Sequence, residues 1–424
     1  MFGKSLVSLR CKQLFFKRIK KTEMNLSKED FLAEAEKYYE ALHTNLDSNT
    51  QSFYDYESMF VQLNQSFAQN ILEKSVGQKT KKERKKKVKT SLGDIELAQS
   101  HQYSSAVHGY RISPFLQERV AYLGQSEIYK HSTDLIKRFL NIEINDMQVH
   151  RVTNTQGALA TKMVDEAAAE TLKASVKPSE VVYAQFDGSM VFTREDAWQE
   201  VKVGRIFSSD QILKLSDNRS EIKGSLYTAH LGKKDAFLEK FEPLTDIFDN
   251  LDNRFVFITD GAPWMHTWIT DSYPKATHIL DIFHALEHIN KWLGWYEKCD
   301  VQRAVWQKMY KKILIEQGGT AVYSAIAALK PKTKTAIAEQ ILLLKYLKKN
   351  ELRMDYPAYL TQNLYIGSGA IEAAQRTVVQ QRLKLSGQRW TEVGAQNVLN
   401  LRTVNMSGLW YKVVDNIRNY ANVA

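Results

Sequence analysis

Apolar residues change their spacing twice along the chain. From residue 27 to about 177 they recur every three or four positions, the period of amphipathic helices. Ser27-x-x-Asp30 has the form of a capping box with Asp in the place of Glu, and Phe31, Ala35, Tyr38, Tyr39 and Leu42 follow at helical spacing. A second helix is expected over 56–73, with Met59, Phe60, Leu63, Phe67 and Ile71 as a packing stripe. Residues 90–104 alternate as a short hairpin. Helices are then expected over 114–123, 126–140 and 145–153, followed by an Ala-rich helix over 157–177 that Pro178 ends. Beyond Pro178 short apolar runs predict strands over 181–186, 200–207 and 225–231. An amphipathic helix over 233–249, a strand over 255–259, a turn helix, a strand over 276–280 and a helix through Trp292 come next. After residue 290 helical spacing returns, with breaks at Gly318-Gly319 and Lys330-Pro331. A helix restarts near Tyr365 and runs to Leu385. A break at 386–391 precedes a last helical region holding Gln396, Asn400 and Arg402.

Three consecutive strands followed by alternating helix and strand predict an α/β fold whose mixed sheet has an antiparallel meander on one side. This is the element order of the ribonuclease H fold. The expected class is a ribonuclease H-like mixed five-stranded sheet with a helical insertion domain, plus an α-helical N-terminal DNA-binding region. The boundaries that follow are an extension over 1–23 ahead of a start at Met24, a helical region over 24–78, a basic linker and hairpin over 79–112, and a helix-turn-helix-like region over 113–177. The catalytic domain takes 178–289 and 366–404, the insertion 290–365, and a tail helix 405–424.

Composition narrows the partner. The 424 residues carry a formal net charge of +10, with a sequence pI near 9.2, which favours an anionic partner and nucleic acid first. Two cysteines, Cys11 and Cys299, make neither a disulfide framework nor a cysteine-based zinc site. No apolar run approaches the roughly 18 residues of a membrane span, and a cytoplasmic, nucleoid-associated protein is expected. In the stretch from Lys79 to Lys89 eight of eleven residues are basic. It reads either as a solvated linker or as an arm that contacts phosphates through Lys81, Lys82, Arg84, Lys85, Lys86 and Lys87. The helix over 145–153 follows a short break and carries Gln148, His150, Arg151 and Asn154, the layout of a DNA-reading helix.

Two carboxylates, Asp187 and Asp260, are expected at strand ends, each followed by Gly, and Glu372 on a helix. Their spacings are 260 − 187 = 73 and 372 − 260 = 112. Converging carboxylates repel unless cations lie between them, and hard oxygen donors suit Mg²⁺ or Mn²⁺. Two such ions would serve phosphoryl transfer. Asp281 and His284 lie three residues apart just after the last strand.

Four blocks carry a resemblance: FDGSM with KVGRIF; FITDGAPW; ILDIFHALEHI; and GSGAIEAAQRTVVQQRLKLSGQRWTEVGAQNVLNLR. Together they resemble the DDE transposases of bacterial insertion sequences (the ISLre/ISKra type), which are distantly similar to Mutator-like and hAT-like transposases. The resemblance implies that Asp187, Asp260 and Glu372 are the catalytic, metal-binding triad, holding two Mg²⁺ or Mn²⁺ ions. Asp281-Ile282-Phe283-His284 is similar to the Asp/Cys-x-x-His motif of those relatives, which makes Asp281 and His284 accessory residues. Double-stranded DNA, as terminal inverted repeats and target, is the implied partner, with a homo-oligomer on DNA. His150, Arg151, Arg376, Arg382, Lys384, Arg389 and Trp390 are further candidates for gripping it, through phosphate contacts and base stacking. The cysteine-rich zinc motif that some transposases carry upstream is missing, so a metal-free reader is expected.

Two other classes fit parts of the pattern. His284-Ala285-Leu286-Glu287-His288 matches the H-x-x-E-H zinc-peptidase motif, with both histidines as ligands and Glu287 as base. That reading leaves Asp187, Asp260 and the basic charge unused. A DNA-binding protein derived from a transposase, with an inactive core, is the other.

Overall fold

The computed structural model describes residues 25–49, 52–76, 84–99, 101, 111–216 and 219–420. The expectations for residues 1–23, for Lys81 and Lys82, and for the end of the 90–104 hairpin lie outside the described residues. The chain divides into two compact units. One holds the described residues up to Val120 with Thr133–Asn145 and those from Ile417 on; the other holds Ala121–Ser132 and Asp146–Asn416.

In the first unit, α1 (Lys28–Asn49) and α2 (Phe53–Val76) each open on a capping box. Ser27 Oγ accepts the Asp30 N–H at 3.0 Å and donates to the Asp30 carboxylate at 2.7 Å. Ser52 and Asp55 repeat the pair at 3.2 and 2.6 Å, so α2 starts earlier than the apolar stripe alone implies. Its Phe67 stacks on Tyr38, with ring centroids 5.0 Å apart. Buried Glu34 takes Lys37 and Lys74, each at 2.9 Å, and these bonds pull its carboxyl down to about 2.

Strands β1 (Lys85–Thr90) and β2 (Gly93–Ala98) form an antiparallel hairpin. The hairpin therefore lies earlier than the expected 90–104, and the basic run from Lys85 to Lys89 is strand rather than linker or free arm. Val88, Ile95 and Leu97 pack against Leu72 and Val76. On β1, Lys87 and Lys89 reach Asp94 at 2.9 and 3.5 Å, and Lys85 reaches Glu96 at 3.7 Å. Opposite charges across the ladder let a lysine-rich segment pair as a strand. Lys86 is half-buried and Arg84 exposed.

Helices α3 (Pro114–Ser126) and α4 (Tyr129–Leu140) contribute residues to both units, so the segment read as helix-turn-helix-like does not fall within one of them. Helix α5 (Asp146–Leu159) and, after a 3₁₀ turn at Ala160–Lys162, α6 (Glu166–Ser175) replace the expected helices over 145–153 and 157–177. Asp165 ends the run by capping α6 through the Ala168 N–H at 3.0 Å.

The second unit is built on β3 (Val182–Thr193), β4 (Ala197–Ser208), β7 (Leu226–Leu231), β8 (Phe255–Thr259) and β9 (Thr277–Leu280). Between β4 and β7 lies a hairpin, β5 (Ile212–Ser216) and β6 (Arg219–Ile222), absent from the expectation. The five strands form one mixed sheet in the order β7-β4-β3-β8-β9. β4 pairs antiparallel with β3 and β7; β3–β8 and β8–β9 are parallel. The helices that follow are α7 (Lys234–Thr245), α8 (Pro263–Ser272), α9 (Ile282–Tyr296), α10 (Asp300–Ala327), α11 (Lys334–Asn350) and α12 (Tyr356–Thr361). Next come α13 (Gly369–Ala374), a π-helical stretch at Gln375–Gln380, α14 (Gln381–Leu383), α15 (Glu392–Met406) and α16 (Trp410–Tyr420).

Strand side chains alternate faces, so the sheet has two distinct coats. Phe186 and Phe257 turn to α7 and α8, meeting Phe241 and Trp268 with centroids 5.7 Å apart. On the other face, Tyr183, Phe207, Val256 and Ile258 join α9–α12 in one core through Ile289, Trp292, Leu314 and Leu343. Further along that face, Val191, Val201 and Val203 join Ile371, Val378 and Val398 of the last helices in a second. The segment expected as an insertion domain over 290–365 thus shares its core with the sheet. Between the two cores the same face carries polar Gln185 and Arg205, both buried, and half-buried Asp187.

Trp292 is buried in the first core and its Nε1 donates to the Ala336 carbonyl at 3.2 Å. Replacing it, Trp292→Ala, is expected to cost about 3–5 kcal/mol, read as a lower urea midpoint at an unchanged m-value.

Candidate active site

Parallel pairing sets Val182 opposite Phe255 and Gln185 opposite Ile258, an offset of 255 − 182 = 73. The same offset carries Asp187 to the level of Asp260, just past the last residue of β8. Adjacent strands stand about 4.8 Å apart. Asp187 shares the face of Tyr183 and Gln185, and Asp260 that of Val256 and Ile258. Both carboxylates therefore stand at the gap between the two cores. One expectation is corrected: Asp187 is not at a strand end. β3 continues to Thr193 because β4 pairs with it throughout, from Val182↔Ser208 to Thr193↔Ala197; only its partner β8 stops. Asp187 Oδ1 accepts the Gly188 N–H at 2.7 Å, and Asp260 Oδ1 that of Ala262 at 2.9 Å.

Asp281 caps α9 and is fully buried. Five donors meet its carboxylate: the N–H groups of Phe283 and His284 at 3.2 Å, His284 Nδ1 at 2.6 Å, and the N–H and hydroxyl of Ser368 at 2.9 and 2.8 Å. Burial alone would raise its pKa. The bonds from His284, Ser368 and Phe283 outweigh burial and hold it below the usual carboxylate range. The same contact raises His284 to about 9, with added attraction from Asp281 and Asp260. His284 is therefore an imidazolium near pH 7, with Nδ1 taken by Asp281 and its side chain about one-third exposed.

Ser368 precedes α13 and joins it to this carboxylate. Its hydroxyl lies 2.8 Å from Asp281 and 3.0 Å from Glu372 Oε1, and its one proton serves one acceptor at a time. Two more bonds fasten the helix that carries Glu372. Arg205 Nη1 donates to the Ala370 carbonyl at 2.7 Å, and Gln375 Nε2 to the Asp187 carbonyl at 2.7 Å. The Asp187 carboxyl is raised by burial first, opposed by the Gly188 N–H, and raised further by Asp260 and Glu372; His284 acts the other way. Asp260 and Glu372 thus both act on the Asp187 carboxyl, with the His284 imidazolium opposing them.

The glycine beside each aspartate leaves room for a neighbouring side chain. A Cβ on Gly261 would sit 2.7 Å from the Tyr346 ring, and one on Gly188 2.1 Å from the Glu200 carboxylate. Tyr346, from α11, stacks on His288 with centroids 3.9 Å apart, and its buried hydroxyl has no partner. Burial and then Asp260, Asp281 and Glu287 keep that phenol protonated, against Arg353. Behind Asp260, Thr259 Oγ1 meets His278 Nε2 at 2.9 Å, and Arg353 Nη1 meets the same nitrogen at 3.3 Å. Burial, then Arg353, hold His278 well below its ordinary value, so it is neutral. Sequence reading missed Ser368, Gln375, Arg205, Tyr346 and Arg353.

The sequence candidates for DNA contact separate. Arg376, Lys384, Arg389, His150 and Arg151 are exposed. Lys384 donates to Ser189, two residues beyond Asp187, at 3.2 Å. Arg382 and Trp390 are buried, which corrects the picture of two exposed groups gripping DNA: the Arg382 guanidinium meets both the Tyr129 and Trp390 rings, which contact each other edge-to-face, and Trp390 Nε1 donates to the Leu383 carbonyl. Helix α5 buries Val149, Val152 and Gly157, where a Cβ would meet the Asn397 backbone of α15 at 2.3 Å.

Among the described residues no three His, Cys, Asp or Glu side chains form a ready metal-holding group. The donors at Asp187, Asp260 and Glu372 are all carboxylate oxygens, the chemistry that suits Mg²⁺ or Mn²⁺.

The Asp281–His284 pair has a pH signature. The His284 pKa rises on folding, from an ordinary 6.5 to about 9, so its stabilisation is complete below 6.5 and lost as pH rises through 9. Urea unfolding across that window is expected to show a loss of stability in the wild type that His284→Gln abolishes. The chain matches no protein-family model and no curated protein sequence.

Proposed function

We propose that this protein is a DDE-type transposase with a ribonuclease H-like catalytic core, cleaving DNA strands at the ends of an insertion sequence and transferring them to target DNA. The observation that carries the reading is the register of β3 on β8. It sets Asp187 level with Asp260 on the face where Ser368 and Asp281 fix the start of the Glu372 helix. The strand order, a meander β3-β4-β7 extended by parallel β8 and β9, is the order expected of a ribonuclease H core. The four motif blocks and the net charge of +10 point the same way.

Asp187, Asp260 and Glu372 would hold two Mg²⁺ or Mn²⁺ ions, which when bound supply charge stabilisation for the attacking and leaving oxygens of a phosphodiester. The chain's own residues do the rest. Asp281 orients His284, whose remaining N–H is a donor for a phosphate oxygen. Ser368, Arg205 and Gln375 hold the Glu372 helix against β3, so no carboxylate has to move to meet the substrate. Activity requires double-stranded DNA, as terminal inverted repeats and target, and two DNA ends brought together by a homo-oligomer. The proposed setting is the bacterial cytoplasm, on the nucleoid.

The test uses DNA carrying the ends of the element that encodes the protein, with Mg²⁺ or Mn²⁺. Asp187→Ala, Asp260→Ala and Glu372→Gln are each expected to abolish strand cleavage while duplex binding persists in a gel-shift assay. Cleavage retained by any of the three removes that residue from the triad, and a wild type that cleaves no strand overturns the reading.

A further inference from the structure

At the end of β3 beyond Asp187 lies a cavity of about 340 Å³, lined by Tyr129, His150, Arg194, Arg382, Arg389 and Trp390 with their neighbours. Among the described residues three guanidinium groups and no carboxylate line it. Arg382 is about 1% exposed; its Nε donates to the Gly124 carbonyl at 3.2 Å, while its Nη2 is buried without a partner. The tyrosine and tryptophan rings lie 4.9 and 4.8 Å from its guanidinium carbon. Beneath it, buried Arg402 is bonded only to backbone carbonyls and to the Gln125 side chain, at Val378, Gln125 and Thr377. Burial pulls the Arg402 pKa down to about 10, and Arg382 adds to the drop. No nearby acid pairs with Arg382 directly among the described residues: Glu195 accepts the Glu392 N–H at 3.2 Å, and Glu127 meets His131 at 3.0 Å while attracting Arg382 and Arg402 only at a distance.

A buried guanidinium with a free donor and no counter-ion is costly unless an anion completes it. A fork of N–H donors matches the oxygens of a phosphate. Exposed Arg194 and Arg389 stand at the rim, and His150 offers a ring nitrogen that burial and then Arg194 hold toward the neutral form. The cavity is anchored to β3: the Arg194 N–H donates to the Trp390 carbonyl at 2.8 Å, and Thr193 bridges Trp390. Asp187 to Thr193 is six residue steps, 193 − 187, of one extended strand, about 20 Å at roughly 3.4 Å per residue. Duplex DNA rises about 3.4 Å per base pair, so that length spans about six pairs.

We propose that this cavity is a phosphate-binding site that holds a backbone phosphate of the substrate DNA, about six base pairs from the bond that the carboxylates address. The DNA assignment rests on the transposase reading; the phosphate chemistry does not.

The test uses the full chain and the double variant Arg194→Gln/Arg389→Gln, which leaves the buried Arg382 in place, with Lys234→Gln/Lys275→Gln as a charge-matched control. In the DNA arm, binding of a random-sequence duplex is measured across a salt series. The slope of log K against log salt is expected to fall by about one, the share of the single phosphate held there, in the variant and to hold in the control. In the free-anion arm, inorganic phosphate is expected to raise the melting temperature of the wild type and control, relative to chloride at equal ionic strength, and to leave the variant unmoved. A phosphate effect with an unchanged DNA slope overturns the DNA assignment in favour of a free phosphate. A phosphate effect in a wild type that binds no duplex supports the site and overturns the transposase reading instead. Neither a phosphate effect nor a change in slope overturns the proposal.

Discussion

A buried carboxylate has to be met by donors wherever the chain can supply them, and Asp281 decides the arrangement of the site in this way. Its donors come from the first turn of α9 and from Ser368 at the start of α13, 87 residues later in the chain. The charge is satisfied only if both helices begin at the same point beyond β9. Leaving it unmet would cost several kcal/mol, so the constraint is stiff. Glu372 lies one turn after Ser368 and inherits its position from that constraint.

The same site is poorly balanced in charge, and the surroundings tolerate this. Asp187 is raised by burial and by two neighbouring anions, while one imidazolium faces them. Repulsion of this kind favours cations and opposes folding. The two apolar cores on either side of the gap, with Trp292 in one and Val398 in the other, hold the face rigid where its polar middle does not. Arg353 and Arg205 make hydrogen bonds to neutral partners, among them His278 and the Ala370 carbonyl, and so fix geometry; Asp260 attracts Arg353 without a direct bond.

Much of this was legible in the residues. The strand over 255–259 is the observed β8, and the spacing of 73 between the aspartates is the β3–β8 register itself, since parallel neighbours convert separation into level. The three-residue step from Asp281 to His284 is one helical turn, so their bond could be read ahead. Other features depend on distant partners and left no local mark. β3 passes beyond Asp187 because β4 continues beside it. Lys85–Lys89 is strand because Asp94 and Glu96 stand opposite. Trp390 and Arg382 look like surface groups until Tyr129, some 250 residues earlier in the chain, is brought against them.

The π-helical stretch shows how two such demands are met in one helix. Ahead of it, Ala370 and Glu372 are fixed to Arg205 and Ser368, and Gln375 reaches the Asp187 carbonyl. Within and behind it, Val378, Val379 and Leu383 must face the second core, and Arg382 must meet the Tyr129 and Trp390 rings. With 3.6 residues per turn, one extra residue rotates everything after it by about 100°. A π-helical turn inserts that rotation without breaking the backbone bonds. The deviation at Gln375–Gln380 lets the first half of the helix, which carries Glu372, obey Asp281 while the second half obeys the core and the arginine cavity. A regular helix of the same sequence would have to give up one of them.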